Sequence, residues 1–251
     1  MPFQKFSFSN CNAIVKVNAP LWWSHQERDD GLGEQENEAE GCPVEIKWKN
    51  LNTGEQKWYE ISTESAMASA CSFDDGNYWV SLSPSGRYIV LWYSYVDDPE
   101  GNLCILAIDT KTQKLTEGTA KEFGEFIDRS SDKPYHGSCM LRILDNGLIH
   151  VVTVSECYEN YLMCPKTNEV VLNLEELLDG LIDEDNYYSV SIATPESLLL
   201  LSGQFDLNKN GSANYRVFKY SLETKLGYIK KMSTETLRDL ADKYTMMPNL
   251  L

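Results

Sequence analysis

The side chains able to do chemistry are few and scattered. There are three histidines, His25, His136 and His150, and seven cysteines, at positions 11, 42, 71, 104, 139, 157 and 164. Nucleophilic catalysis needs a base beside the nucleophile. His136 precedes Ser138 by two residues, but no nucleophile-elbow pattern accompanies it. His150 sits inside LIHVVTV and reads as a core histidine. His136, Cys139, Cys157 and Cys164 supply four zinc-type donors, yet six residues separate the last two, wider than the usual two to four. They read as packed thiols. Asp206-Leu207-Asn208-Lys209-Asn210-Gly211 opens like a calcium loop, but position 12 is Val217 where a bidentate Glu belongs, so a polar hairpin tip is expected. Gly31-Leu32-Gly33 lacks the third glycine of a phosphate loop. No cofactor, no metal and no catalytic residue is expected.

What stands out instead is charge and exposed aromatic surface. In the 251 residues, 38 Asp and Glu outweigh 22 Lys and Arg, a net charge of −16. A nucleic-acid partner and an anionic membrane are both disfavoured by that field. A basic protein partner is favoured. Residues 27–40 hold seven acids and one arginine, inside a loop spanning 25–42. A Pro-Gly turn carries Asp97, Asp98 and Glu100. Trp22 and Trp23 are adjacent after Pro20 and lead into the acidic loop. Adjacent side chains cannot easily both be buried, and exposed tryptophan is a typical interface anchor. The expected partner-binding residues are therefore Trp22, Trp23, Asp29, Asp30, Glu34, Glu36, Asp97, Asp98 and Glu100. Trp48, Trp58, Trp79 and Trp92 fall on expected strands and read as core.

The elements that must position these residues repeat. Four segments share strand, short polar turn, strand: 44–61, 103–118, 160–174 and 215–231. Their turn threonines, Thr53, Thr112, Thr167 and Thr224, are separated by 59, 55 and 57 residues. A preceding hairpin recurs at 78–96, 139–154 and 188–205, around Ser83-Pro84-Ser85-Gly86, Asp145-Asn146-Gly147 and Thr194-Pro195-Glu196-Ser197. Pro, Asn and Gly supply the backbone angles such turns require. The strand after each turn is almost continuously apolar (YIVLWY, LIHVVTV, LLLL), which requires cover on both faces. No matching turn follows IVKV at 14–17, so the first unit looks incomplete. Short helices are expected at 173–182 and 234–244 from their apolar spacing.

Units of four antiparallel strands and about 55–60 residues resemble the blades of a β-propeller. SLSPSGRYIVLWY is similar to the second-strand signature of WD40-like blades, and AIDTKTQKL to their outer hairpin. The resemblance covers about 44–231, without the Trp-Asp ending or Gly-His start of true WD40 repeats. The family's binding residues therefore do not transfer. It implies an all-β single domain of four antiparallel sheet units, propeller-like and either small, open or completed by a second copy as a homodimer, with two short helices. Unit limits fall near 1–64, 65–125, 126–182 and 183–232.

Non-catalytic binding of a basic protein is the expected function. An immunity or inhibitor protein neutralising a cationic toxin is a narrower version. A carboxylate- or metal-dependent hydrolase in the propeller channel is the alternative. The start lacks a long apolar core behind a basic segment, and the odd, scattered cysteines suit reduced thiols, so a cytoplasmic location is expected.

Overall fold

The computed structural model describes residues 3–20, 44–61, 78–94, 103–120, 139–154, 158–167, 169–178, 190–201, 214–245 and 247–248. The fold is built from four antiparallel sheets. The first holds β1 (Phe3–Ser9), β2 (Ala13–Pro20), β3 (Val44–Asn50) and β4 (Gln56–Ile61). The second holds β5 (Tyr78–Leu82), β6 (Tyr88–Ser94), β7 (Leu103–Asp109) and β8 (Lys114–Ala120). The third holds β9 (Cys139–Ile143), β10 (Ile149–Val154), β11 (Tyr158–Cys164) and β12 (Glu169–Asn173), followed by α1 (Leu174–Leu178). The fourth holds β13 (Val190–Ala193), β14 (Ser197–Leu201), β15 (Asn214–Ser221) and β16 (Gly227–Ser233), followed by α2 (Thr234–Tyr244). Within each sheet every strand pairs with the next in sequence, the up-and-down order of a propeller blade.

The expected incompleteness of the first unit is corrected. IVKV lies in β2, and its hairpin partner β1 precedes it, paired from Phe3↔Pro20 to Ser9↔Ile14. The connecting turn is Asn10-Cys11-Asn12, with Asn10 Oδ1 accepting from the backbone N–H of Asn12 and Ala13. Asparagine replaces the Pro and Gly of the other units by bonding the backbone directly. A short strand β17 (Met247–Pro248) pairs with β1 on its other side. The Cys11 N–H also donates to the Lys243 carbonyl at the end of α2. The C-terminal segment is thereby tied to the first sheet.

The outer hairpin turns obey one rule. The last residue before each turn carries an acceptor: Asn50, Asp109, Cys164 or Ser221. Asn50 accepts from Thr53 N–H, Asp109 from Lys111 N–H, and Ser221 from Thr224 N–H. The residue after the threonine is left-handed in three units: Gly54 at φ 75°, Gln113 at 57° and Lys225 at 57°. Such a φ is costly for a side chain with a Cβ. Gln113→Gly should therefore raise the unfolding free energy by about 0.5–1 kcal/mol, read from urea midpoints. A loss of stability would contradict this turn geometry.

Neighbouring sheets face each other across apolar layers. Val90 and Ala107 of the second sheet pack with Ile143, Ile149, Val151, Tyr161 and Met163 of the third. The opposite face of the third sheet, with Leu162 and the following Leu174, meets Leu198, Leu200 and Phe218 of the fourth. The far face of the fourth sheet packs Ile192, Leu199, Leu201 and Val217 under Leu237 and Ala241 of α2. This explains the runs of continuous apolarity. All five residues of β14 are buried because one face meets the third sheet and the other meets the helix. α2 starts where its pattern places it, with the Ser233 side chain accepting from Thr236 N–H. Trp58 corrects an expectation: Trp48 is buried, but Trp58 is 59% exposed, because β4 is the outermost strand and only one of its faces is covered.

Candidate functional site

The two ends of the sheets differ in construction. All tight turns within the hairpins β1–β2 and β3–β4, and their equivalents, lie at one end. The segments joining β2 to β3, β6 to β7, β10 to β11 and β14 to β15 attach at the other, as do the links between sheets. The alternation of antiparallel strands forces this division.

The tight-turn end is a chain of polar struts between sheets. Asn10 Nδ2 donates to the Ser83 carbonyl at 3.0 Å, and Asn12 Nδ2 to the Pro84 carbonyl at 2.7 Å. The Trp48 indole N–H donates to the Gly86 carbonyl at 2.7 Å. One sheet further on, the Ser85 N–H and hydroxyl both donate to Asp145. Within the second sheet, Arg87 and Asp109 form a two-pronged ion pair, at 2.9 and 2.7 Å. Lys57 donates to the Thr110 carbonyl and pairs with Glu55 at 3.1 Å. Tyr59 lies in the same seam. Burial, with Asp109 and Glu55 nearby, pushes its phenol up to about 12. The bonded Arg87 guanidinium holds Asp109 down to about 2. The carboxylates of Asp109, Asp145 and Glu55 are thus engaged in holding sheets or turns together.

A second polar group lies between the third and fourth sheets. His150 is fully buried, and its Nε2 is 2.7 Å from Asn160 Oδ1. Burial lowers its pKa to about 4, with the Arg142 charge pushing the same way, so the ring is neutral. Arg142 is the cross-strand partner of His150 on β9, and its Nε is out of contact with water. Reading His150 as a core histidine fits this environment.

These two groups predict acid sensitivity. The folded state keeps His150 neutral down to about pH 4, whereas an unfolded histidine takes up a proton near 6.5. Stability is therefore present above 6.5 and lost as pH falls to 4, by about 3 kcal/mol. Asp109 has the same sign in the adjacent window. Its carboxylate stays charged down to about 2 against 3.8 unfolded, which adds about 1–2 kcal/mol after screening. Denaturant midpoints should fall continuously from pH 7 to 3. His150→Gln should flatten only the part above pH 4, and an unaltered slope in that variant would contradict the assignment.

Among the sequence-predicted residues, Trp22, Trp23, Asp29, Asp30, Glu34, Glu36, Asp97, Asp98 and Glu100 lie outside the described residues. So do the 206–211 turn, His136 and Cys157. Their points of attachment are described. In sequence the acidic 25–42 loop lies between β2 and β3 and the 97–100 turn between β6 and β7, and the strand ends flanking them lie opposite the polar struts. Asn18 Nδ2 donates to Glu45 at 3.1 Å at the base of the first of these connections. Cys164 is free, and it occupies the acceptor position of its outer turn. Burial works to raise its thiol pKa, but hydrogen bonds from Lys166 and Thr167 outweigh it and lower the value. Among the described residues, no three His, Cys, Asp or Glu side chains group as a metal site. Among them, too, no helix is long and apolar enough to cross a membrane.

No protein-family model and no curated protein matches the chain. Solved structures do resemble it. The β-propeller domain of the Trilobed protease from Pyrococcus furiosus is 10% identical with a TM-score of 0.40, covering 92% of this chain and 58% of that one. An acylaminoacyl peptidase from Pyrococcus horikoshii is 11% identical at 0.39, covering 91% and 33%. The tricorn protease is 10% identical at 0.31, covering 98% and 30%. The chain therefore spans less than two thirds of each of these structures. The propeller-like description rests on its own four meander sheets and their face-to-face packing.

Proposed function

We propose that this chain is a non-catalytic binding module, cytoplasmic, whose partner is a basic protein engaged through the acidic 27–40 segment, the 97–100 turn and Trp22-Trp23. The observation supporting this reading is the division between the two ends. At the tight-turn end Asp109, Asp145 and Glu55 are bonded into struts and turns, while the acid-rich segments attach at the other end. Long segments held on a rigid frame are where binding residues concentrate. A net charge of −16 would speed encounter with a cationic surface, and the paired tryptophans would supply affinity. Neutralisation of a cationic toxin is one form this role would take.

The test is capture by the tagged protein from its own cell lysate, at low and at high salt, with mass spectrometry. One stoichiometric basic protein should appear, its apparent affinity falling about tenfold or more as salt screens the charges. A stoichiometric partner retained equally at both salts, or one that is acidic, would overturn the charge reading.

A further inference from the structure

The fourth sheet ends on β16, which pairs only with β15 among the described residues. Its edge is the exception in a strongly acidic chain. Residues 225–233 contain three lysines and no acid. Lys225, Lys230 and Lys231 are exposed, as are Leu226 at 66% and Tyr228 at 47%. Arg216 and Lys231 are direct cross-strand partners. Lys219 stands opposite Tyr228, so cations flank the edge on both faces of the sheet.

Among the described residues, the backbone of the edge also meets no further strand. Ser221 N–H donates to the Leu226 carbonyl, which fixes that pair as a bonded one. Alternation along the antiparallel ladder then turns the N–H and C=O of Gly227, Ile229 and Lys231 away from β15. Lysines on such an edge deter pairing between two copies of it. The same lysines select for a strand of opposite charge.

We propose that β16 is a docking edge for an extended acidic segment of a partner protein, added as a fifth strand to the fourth sheet. Backbone hydrogen bonds to residues 227, 229 and 231 would give affinity, and acids beside Lys230 and Lys231 would give selectivity. An apolar side chain of the segment would cover Leu226 and Tyr228. This site is separate from the acidic end and takes a partner of the opposite charge.

The probe is a labelled eight-residue peptide of sequence EEVVEEVV, which puts both acid and apolar side chains on each face of the strand, with its Lys–Val counterpart, followed by fluorescence anisotropy on the full chain. The acidic peptide should bind saturably despite the protein's overall negative charge, and the basic one should not. The double variant K230E/K231E, altered only at exposed positions, should weaken binding at least tenfold with an unchanged melting temperature. Methylating alternate peptide nitrogens should abolish binding in one register and spare it in the other. No saturable binding, binding undiminished in the double variant, or indifference to methylation in both registers would each overturn the proposal. So would self-association of the chain that the double variant abolishes, since the edge would then serve a second copy.

Discussion

Gly86→Ala should lower the unfolding free energy by about 3 kcal/mol, a large fraction of what a domain possesses. Gly86 adopts φ 78°, where a Cβ costs about 1–2 kcal/mol by itself. The added Cβ would also lie 2.6 Å from the Ala13 Cβ. Ala13 is fully buried at the start of β2, so neither atom belongs to a flexible side chain. Relief requires the first two sheets to separate, at a typical overpacking cost of about 1–3 kcal/mol. Separation would also strain the bond from the Trp48 indole to the Gly86 carbonyl. Ala13→Gly in the same chain should restore the contact part and leave the backbone part. Urea unfolding of the two single variants and the double would separate them. A loss below 1 kcal/mol for Gly86→Ala would contradict the close approach of the sheets.

Phe218→Ala should cost about 4 kcal/mol, the magnitude expected when a fully buried aromatic leaves a cavity. Phe218 is central to the layer between the third and fourth sheets, among Leu144, Leu162, Leu198 and Leu200. Its ring lies over Gly227, where a Cβ would come within 2.2 Å of Cζ. Gly227→Ala alone should therefore destabilise by forcing the ring aside. Combined with Phe218→Leu, it should cost less than the sum of the single changes, because the smaller side chain leaves room. Additive losses would show that the ring does not occupy that space.

The repeat was legible because its signals are local. Thr53, Thr112, Thr167 and Thr224 mark turns whose chemistry resides in four or five consecutive residues. Continuous apolarity in LLLL and YIVLWY reported cover on both faces, and β14 is buried throughout. The β1–β2 hairpin is not legible because Asn10-Cys11-Asn12 contains neither Pro nor Gly. Trp58 misled because residue type cannot reveal which strand is outermost. The struts between sheets were invisible for a different reason. Ser85 and Asp145 are 60 residues apart, and Asn10 and Ser83 are 73 apart. Only the stacking of sheets brings them together. Asp109 is a different case: its turn role follows from the repeat, and its pairing with Arg87 follows from β6 and β7 lying side by side in one sheet. The basic edge of β16 likewise emerges only once the strand order is known.

The central claim is that acids attached at the end opposite the struts capture a basic partner. Capture from cell lysate with a variant in which Asp29, Asp30, Glu34 and Glu36 become their amides tests it most directly. The account predicts that the stoichiometric basic partner held by the unaltered chain at low salt is lost, while the melting temperature is unchanged. Full retention of that partner by the neutralised variant would contradict it.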